Sequence, residues 1–419
     1  MKARQAAIPF ILITILIDVL GIGLIVPILP ELITEMSGGV ASTGSSVYGI
    51  FIAVYAAMQF LCAPILGALS DRFGRRPVLL LSLLGAGLDY LLLAVAPNLW
   101  LLFLGRVIAG VTGANLTVAN AYIADVTEPQ DRAKNFGLIG AVFGIGFIIG
   151  PALGGFLGNF DLRLPFFAAA GMALLNWLYG WFVLPESLKP ENRQGFKPGN
   201  LNPLRAFGTL ARYPVVLGLT FTLVCTYLAQ NILQSVWVLF TGYMFQWGPL
   251  ENGLSLALLG VLTAIVQGGL IRVLLPRLGE RRAIITGMLV STVTMTTYGL
   301  LTQEWMLFAA MTLGSLAGIA GPAIQGLVSG SVSAKEQGTV QGALASIASL
   351  TGVVGPLFGT QLFAHFTAPT VANPHPGVPF LAAGLLSLLG LLAAVRAFRG
   401  KRRSGNSVPP AEPNPNPAA

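Results

Sequence analysis

Charged residues are scarce in this sequence: 10% of its 419 residues are Asp, Glu, Lys or Arg, whereas 54% are hydrophobic. A water-soluble protein of this length needs far more polar surface to cover itself. Cysteine and histidine are rarer still, with two residues of each type. Because Cys62 and Cys225 both lie within apolar runs, the sequence predicts neither a disulfide framework nor a metal site.

The hydrophobic residues are grouped in blocks of about 20, the length at which an α-helix crosses a hydrocarbon core of about 30 Å. The sequence therefore predicts an all-α membrane protein. The first block contains Asp18 and lacks a small-residue cleavage site, so we interpret it as a retained helix and not as a signal peptide. We expect twelve transmembrane helices, at residues 8–30, 46–69, 77–96, 99–123, 136–158, 164–184, 214–241, 251–275, 283–302, 305–330, 338–364 and 378–397.

The basic residues are concentrated on one side of the predicted membrane, in the even-numbered connections and at both termini, whereas the opposite side keeps only Arg163. By the positive-inside rule, both termini and the central loop are predicted to be cytoplasmic. The net charge of +8 is thus explained by topology. Its expected partner is the anionic headgroup region of the lipid bilayer, and nucleic acid is not expected as a partner.

The longest polar connection separates six predicted helices from six. We predict four segments: an N-terminal six-helix bundle at 1–184, a cytoplasmic linker at 185–213, a C-terminal six-helix bundle at 214–400, and a disordered cytoplasmic tail at 401–419. The two halves repeat at an offset of 205 residues, because "GPALGG" and "GPLFGT" begin at Gly150 and Gly355, and "DRFGRR" and "PRLGER" begin at Asp71 and Pro276. Repeats with an even number of spans predict two pseudo-symmetric bundles with a cavity between them at mid-depth.

Two motifs in the first half combine glycine with residues of specific chemistry. In "GALSDRFGRRPVLL" (67–80), a glycine permits close helix approach, and Asp71 can cap a helix or pair with Arg75. A simple positive-inside turn would explain the arginines but not the glycines and the aspartate. The loop resembles the signature loop of the major facilitator transporters. The resemblance implies a cytoplasmic gate that consists of Gly67, Asp71, Arg72, Gly74, Arg75, Arg76 and Asp125.

The second motif is "GIGFIIGPALGG" (144–155), in the fifth predicted helix. Glycine and proline at this density kink a helix and let a neighbouring helix approach closely. The motif resembles one in the fifth helix of major facilitator antiporters, and that resemblance implies export. Small-residue packing alone would account for the glycines without implying export. The candidate residues of this motif are Gly146, Gly150, Pro151, Gly154 and Gly155.

These motifs resemble those of the major facilitator superfamily, and the sequence is similar to its tetracycline/proton antiporters. Further matching stretches include "DVLGIGLIVPILPEL", "GRVIAGVTGA", "YIADVTEPQDRAKNFG" and "SVWVLF". The resemblance implies the major facilitator fold in a bacterial inner membrane, functioning as a monomer. It also implies multidrug or tetracycline efflux driven by proton entry. The drug would be carried as a divalent-metal chelate, so Mg²⁺ would belong to the substrate and no cofactor would be needed.

Three ionisable residues other than tyrosine and cysteine lie deep in the predicted spans: Asp18, Asp89 and Arg106. At a rise of 1.5 Å per residue, we expect all three at about the same depth in the first half. An arginine flanked by two carboxylates is a candidate proton-coupling site, because separation of the pair would let a desolvated aspartate take up a proton. The alternative is a static buried ion pair, which explains one carboxylate better than two.

Uncharged polar residues in the spans give a candidate drug site: Gln59, Gln230, Asn231, Gln234, Trp237, Gln267 and Gln325. Gln230, Gln234 and Trp237 recur at helical spacing and are expected on one face. Amides beside an aromatic surface suit a polycyclic, oxygen-rich ligand. Interhelical hydrogen bonding is the alternative for each glutamine taken alone.

The second half departs from the resembled antiporters, in which a histidine on helix eight and an aspartate on helix nine are expected. Thr263 and Ser291 occupy the aligned positions here, and neither side chain titrates near neutral pH. Proton handling would then depend on the first half. This departure keeps open a major facilitator transporter of another drug, a sugar or a metabolite, by antiport or symport.

Two other classes of protein are disfavoured. A receptor or scaffold would not require Asp89 and would usually carry a larger soluble domain. An enzyme is not expected, because the sequence shows no nucleophile–base constellation, metal cluster or phosphate-binding P-loop. Pumping would therefore be secondary, driven by an ion gradient.

Overall fold

The computed structural model describes residues 2–113, 115–193, 214–329, 331–332 and 337–403. Most of the predicted linker (194–213) and most of the predicted tail (404–419) lie outside the described residues. Within the described residues the secondary structure is helical, without strands, and twelve helices are long and apolar enough to cross a membrane. The predicted fold class is confirmed.

Some of the twelve spans consist of two helices in succession, and one short helix lies between spans. The α-helices in chain order are α1 (Lys2–Ile25), α2 (Leu29–Met36), α3 (Ala41–Phe73), α4 (Arg75–Val95), α5 (Leu99–Thr112), α6 (Asn115–Val126), α7 (Arg132–Gly158), α8 (Leu164–Val183), α9 (Pro214–Phe245), α10 (Pro249–Ile265), α11 (Ile271–Leu278), α12 (Glu280–Leu300), α13 (Glu304–Ser315), α14 (Ala320–Ser329), α15 (Gln337–Phe366) and α16 (Val378–Arg403). A π-helical turn at Val266–Leu270 joins α10 to α11.

The first predicted helix, 8–30, is divided in the structure. Helix α1 ends at Ile25, and the separate short helix α2 begins at Leu29 with Pro30 in its first turn. Proline is tolerated there because the first amides of a helix have no intrahelical acceptor. Helix α2 was not predicted from the sequence, because the first span was expected to end at residue 30 and the polar residues after it to form a connection.

The sequence repeat is visible in the backbone. Helices α4 and α12 each have 21 residues and begin 205 positions apart. Each is preceded by a glycine with positive φ, Gly74 at 106° and Gly279 at 72°. Glycine is favoured there because a side chain strains this backbone conformation. A one-residue turn thus reverses the chain at the same place in both halves.

The hydrophobic core shows how the two halves meet. One buried cluster contains residues of both halves, including Leu24, Phe51, Ile232 and Phe363. At the other end of the helices there are two separate clusters, one built from the first half and one from the second. The halves therefore share a core at one end, which we call the closed end, and have separate cores at the other, the open end.

Contacts between the halves at the closed end involve two helix pairs. Helices α3 and α15 are joined where the Ser45 hydroxyl donates to the Thr360 carbonyl oxygen and the Ser46 hydroxyl donates to Gln361 Oε1, both at 2.8 Å. Helices α7 and α10 are so close that a methyl group on Gly155 would lie 2.9 Å from the Gly253 Cα.

Toward the open end the same helices separate. On α7, a methyl group on Gly144 or Gly140 would meet none of the described atoms within 4 Å. The same holds for Gly342 and Gly352 on α15. The space between the halves thus opens toward one side of the membrane.

Helix α2 belongs to the first half and packs against α9 of the second half at the closed end. A cavity of about 410 Å³ lies between them, and Glu31, Tyr243 and Trp247 contribute to its lining. Burial, and then repulsion from Glu35 and Glu251, raise the pKa of the Glu31 carboxyl above its ordinary value. Neither Glu31 nor Glu35 has a basic partner among the described residues.

We expect Gly155→Ala to weaken the closed end. The added methyl group would collide with the Pro249 carbonyl oxygen, and overpacking of this kind costs about 1 to 3 kcal/mol. The measurement is the yield of thiol cross-linking between cysteines introduced by Ser46→Cys and Gln361→Cys. Gly144→Ala on the same helix is the matched control and should leave the yield unchanged. Equal yields in Gly155→Ala and the control would contradict the role of this contact.

We expect the closed end to weaken as pH rises past 4.5, the ordinary pKa of Glu31. A carboxyl whose pKa is raised by closure binds its proton more tightly in the closed arrangement, so closure is favoured at low pH and is penalised once the group ionises. Spin labels attached to the same two cysteines report closure independently of thiol chemistry. The fraction of molecules with the short label-to-label distance, measured from pH 4 to pH 8, should show this decline. Glu31→Gln should flatten the curve, whereas the exposed control Asp161→Asn should preserve it. A curve unchanged by Glu31→Gln would refute the assignment.

Candidate functional site

A buried ion pair lies inside the first half. Asp89 on α4 and Arg106 on α5 are 1% and 8% exposed, and Arg106 Nη2 is 3.4 Å from Asp89 Oδ2. Asp89 Oδ1 and Arg106 Nε have no hydrogen-bond partner among the described residues. A buried charge pair with unsatisfied atoms is costly in an apolar medium, and intramembrane charges of this kind usually serve a function.

Asp18 on α1 lies close to the pair but has a different partner. Its Oδ2 accepts a hydrogen bond from Asn115 Nδ2 of α6 at 3.1 Å, and the structure has no ion pair between Asp18 and Arg106. The expectation that Arg106 is flanked by both carboxylates is therefore wrong in this conformation. Depth along a helix can be computed from sequence, but the direction in which each helix face points depends on packing.

Two tyrosines connect these groups. The Arg106 guanidinium carbon is 5.9 Å from the ring centroid of Tyr55 on α3, a distance at which the cation attracts the ring face. Tyr55 and Tyr90 both interact electrostatically with Asp18, Asp89 and Arg106. The three predicted residues thus belong to one polar centre, although only two of them form an ion pair. Asn115, Tyr55 and Tyr90 were not predicted from the sequence.

The predicted drug-site glutamine of the first half bonds to a neighbouring helix. Gln59 Nε2 on α3 donates to the carbonyl oxygen of Gly113 at 3.0 Å. Gln59 is partly exposed. The interhelical hydrogen bond that the sequence left open as an alternative is thus present, and it places Gln59 one helical turn from Tyr55.

Polar groups of the second half meet around Tyr227 on α9. Gln325 Nε2 on α14 donates to the Tyr227 hydroxyl at 3.1 Å, and Asn231 Nδ2 donates to the Tyr227 carbonyl oxygen at 2.8 Å. Gln267, in the π-helical turn, lies beside Gly318. Only the Gln325 bond joins two helices here, because the Asn231 bond lies within α9 and Gln267 contacts a different segment. The ligand site stays a prediction.

The helix-seven face predicted from the sequence is divided by burial. Gln230 and Gln234 are exposed, but Trp237 is 2% exposed and its Nε1 donates to Ser255 Oγ at 3.0 Å. The prediction that Trp237 lines the cavity with the glutamines is wrong in this conformation. Trp237 lies nearer the closed end, where it contacts Ser255 of α10 and Tyr298 of α12. These two helices cover the face of α9 that is exposed at Gln230, two turns earlier.

The positions that depart from the antiporter pattern are not charged centres. Ser291 on α12 pairs with Ser387 on α16 through hydroxyl oxygens 3.0 Å apart. By the 205-residue repeat, Asp89 corresponds to Thr294, whose Oγ1 is buried without a partner among the described residues. The second half therefore has neutral residues where the first half has its ion pair.

The candidate gate residues surround Arg75 at the open end. Arg75 Nη1 is 2.6 Å from Asp71 Oδ1, and Arg75 Nε is 3.0 Å from Asp125 Oδ2. Arg75 also donates to Ser70 Oγ at 2.6 Å. Arg72 is exposed and lies 5.1 Å from the Phe73 ring. The motif thus ties the end of α3 to α4 and α6, and Arg72 is outside this network.

Glu186, which follows α8, completes the gate network and was missed from the sequence. Its Oε1 accepts from the Arg75 amide at 2.9 Å, and its Oε2 accepts from the Arg76 amide at 3.3 Å. A carboxylate at this place satisfies orphan amides at the start of α4 and opposes the helix dipole favourably. The only signal in the sequence was an acidic residue directly after an apolar block, which is weak.

The glycine motif of α7 packs on two helices. On one face Gly146, Gly150 and Gly154 contact α1 around Val19, Gly23 and Leu24. On another face Gly155 contacts α10 at the closed end, and Pro151 lies within α7. One motif therefore holds the first half together and also seals it against the second half.

Comparison with known proteins agrees with this architecture. A family model described as the Major Facilitator Superfamily matches residues 11–278 and 270–419. The structure is similar to that of a bacterial homologue of the human lysosomal transporter Spinster in an inward-facing, occupied conformation. In that comparison the TM-score is 0.77, the identity is 17%, and 95% of this chain and 97% of the other are covered.

Two curated relatives narrow the family further. The chain is 44% identical to the class C tetracycline resistance protein of Escherichia coli, over 94% of this chain and 98% of that one. It is 39% identical to the class B tetracycline resistance protein of Escherichia coli, over 84% and 88% of the two chains. The protein therefore belongs to the major facilitator superfamily of transporters, within the family of tetracycline resistance proteins.

Proposed function

We propose that this protein is a proton-coupled antiporter that exports a tetracycline-type drug from the bacterial cell. The relatives are named for tetracycline resistance and match nearly the whole chain. The observation that carries the proton coupling is the buried Asp89–Arg106 pair with its unsatisfied atoms. In this proposal the protein has no enzymatic activity and no resident cofactor, and the proton gradient is its energy source.

Transport would proceed by alternating access. The structure is sealed at one end and open at the other, and the arginine-rich turns before α4 and α12 lie at the open end. The positive-inside rule supports the open end and both termini being cytoplasmic, in the inner membrane. Drug would then enter from the cytoplasm, and the protein would work as a monomer.

The proton step would use the difference between the two acids of the polar centre. Asp89 is paired with a cation, whereas Asp18 is held by a neutral amide and is partly exposed. Movement of α4 relative to α5 would separate Asp89 from Arg106, and an unpaired buried carboxylate binds a proton readily. When the Asp89–Arg106 pair forms again, Asp89 would release the proton. Proton entry and exit would thereby be linked to the conformational cycle.

The drug would bind between the halves at the amide groups around Tyr227 and at the exposed glutamines of α9. Amide groups are able to bond the oxygen-rich edge of a tetracycline, and Mg²⁺ would arrive as part of the chelated substrate. Thr263 and Ser291 favour a second candidate, an exporter of another drug or metabolite, because the second half lacks the titratable residues of the resembled antiporters.

We expect Asp89→Asn to abolish proton flux driven by tetracycline and Mg²⁺ in everted membrane vesicles, measured with a pH-sensitive dye. The neutral amide cannot carry the proton, and Arg106 would remain buried without a counterion, which costs about 3 to 5 kcal/mol. Because that cost threatens folding, the thermal unfolding midpoint is measured as well, and Asp89→Glu should restore part of the flux. Asp161→Asn is the control and should be active. Full flux in a folded Asp89→Asn protein would exclude the role.

The vesicle assay also separates the two candidate functions. If wild-type vesicles never respond to tetracyclines but respond to another drug, the antiport mechanism stands and the tetracycline assignment fails. If no solute elicits proton flux, the proton coupling fails as well.

We expect Gln325→Ala to raise the KM for tetracycline-driven proton flux about five-fold and to leave the maximal rate nearly unchanged. One lost hydrogen bond is worth about 1 kcal/mol, which corresponds to that factor. Gln303→Ala, an exposed glutamine at the closed end, is the matched control and should keep the wild-type KM. An unchanged KM in Gln325→Ala would remove this residue from the drug site.

A further inference from the structure

The arginines of the two halves are used differently at the open end. In the first half Arg75 is bound by Asp71 and Asp125. In the second half six arginines make no ion pair with another described residue: Arg272, Arg277, Arg281, Arg282, Arg396 and Arg399. Glu280 of this corner lies beside Gly326 of α14. The corner therefore carries uncompensated positive charge.

The arginines of α12 and α16 belong to one patch. These two helices pack against each other, and the Arg281 guanidinium carbon lies 5.6 Å from the Phe398 ring centroid. Arg282 at the start of α12 and Arg396 and Arg399 near the end of α16 are exposed. The chain thus places guanidinium groups of both helices at the open end.

Each of these arginines continues an apolar stripe on the outer face of its helix. On α12 the exposed residues after Arg282 include Leu289 and Val293, and on α16 those before Arg396 include Leu385 and Leu392. Leu289 and Val293 lie 7 and 11 residues after Arg282, and Leu392 and Arg396 lie 7 and 11 residues after Leu385. These spacings are close to two and three helical turns, so each stripe lies on one face of its helix. Charge at the end of an exposed apolar stripe matches a molecule with an anionic head and long apolar chains.

We propose that this corner of α12 and α16 binds an anionic phospholipid of the membrane leaflet at the open end. The guanidinium groups of Arg282, Arg396 and Arg399 hold the headgroup phosphate, for which the planar fork of arginine is suited. The acyl chains lie along the two stripes. The site does not depend on which solute is transported, and it anchors the second half to the leaflet, whereas Arg75 of the first half serves the gate network.

The test is native mass spectrometry of the full-length protein with equal amounts of phosphatidylglycerol and phosphatidylcholine. We expect the wild type to retain phosphatidylglycerol preferentially. The double variant Arg282→Gln/Arg396→Gln should lose that preference about ten-fold. The matched control, Lys134→Gln/Lys189→Gln, removes two exposed positive charges from the same end and should change the preference less than two-fold.

Two further arms identify the ligand and guard against misfolding. Arg282→Lys/Arg396→Lys keeps the positive charges but removes the planar guanidinium groups, and should give an intermediate preference for phosphatidylglycerol. Added salt should weaken phosphatidylglycerol retention in the wild type. Glycerol phosphate, which has the head but no chains, should not displace the lipid. Equal losses in the site and control variants, no preference in the wild type, or displacement by glycerol phosphate would each overturn the proposal.

Discussion

The hydrocarbon core requires every backbone amide and carbonyl to be bonded within the protein, and the rest of this structure depends on that requirement. Helices satisfy it segment by segment, so the twelve spans are fixed before any of them pack. Without a hydrophobic drive between helices inside the bilayer, packing depends on close approach. The glycines of α7 permit this close approach to two helices, α1 and α10. The same motif therefore sets both the interior of the first half and its seal against the second.

The two halves are closed against each other at a single end, because their close helix contacts are all at that end. The shared core and the hydrogen bonds of Ser45 and Ser46 are all at the closed end, whereas Gly144 and Gly140 face open space. Glu31 adds an unfavourable charge to the closed end. A seal built from close contacts and opposed by a carboxylate is stable enough to form and weak enough to open, as alternating access requires.

The two halves share a backbone repeat but differ in electrostatics. The first half pairs its buried arginines with carboxylates, in the Asp89–Arg106 pair and in the Arg75 network. The second half has Thr294 in place of the buried acid, and its arginines point outward. The proposed proton coupling in the first half, the proposed drug site in the second half and the proposed lipid site at its outer corner are consistent with this difference. A neutral second half can accept a bulky polar ligand without a competing buried charge.

The amino-acid pattern by itself determined the twelve helices and the 205-residue repeat of the two halves, because these depend on local spacing and on the length that crosses the bilayer. It also identified the glycine motif and the amide-rich segments. Only the tertiary structure decided that Arg106 pairs with Asp89 while Asp18 bonds to Asn115, that Trp237 is covered, and that Glu186 caps α4. Those outcomes depend on how helices distant in sequence rotate and approach one another, and a helix's rotation about its axis is set by all of its neighbours together.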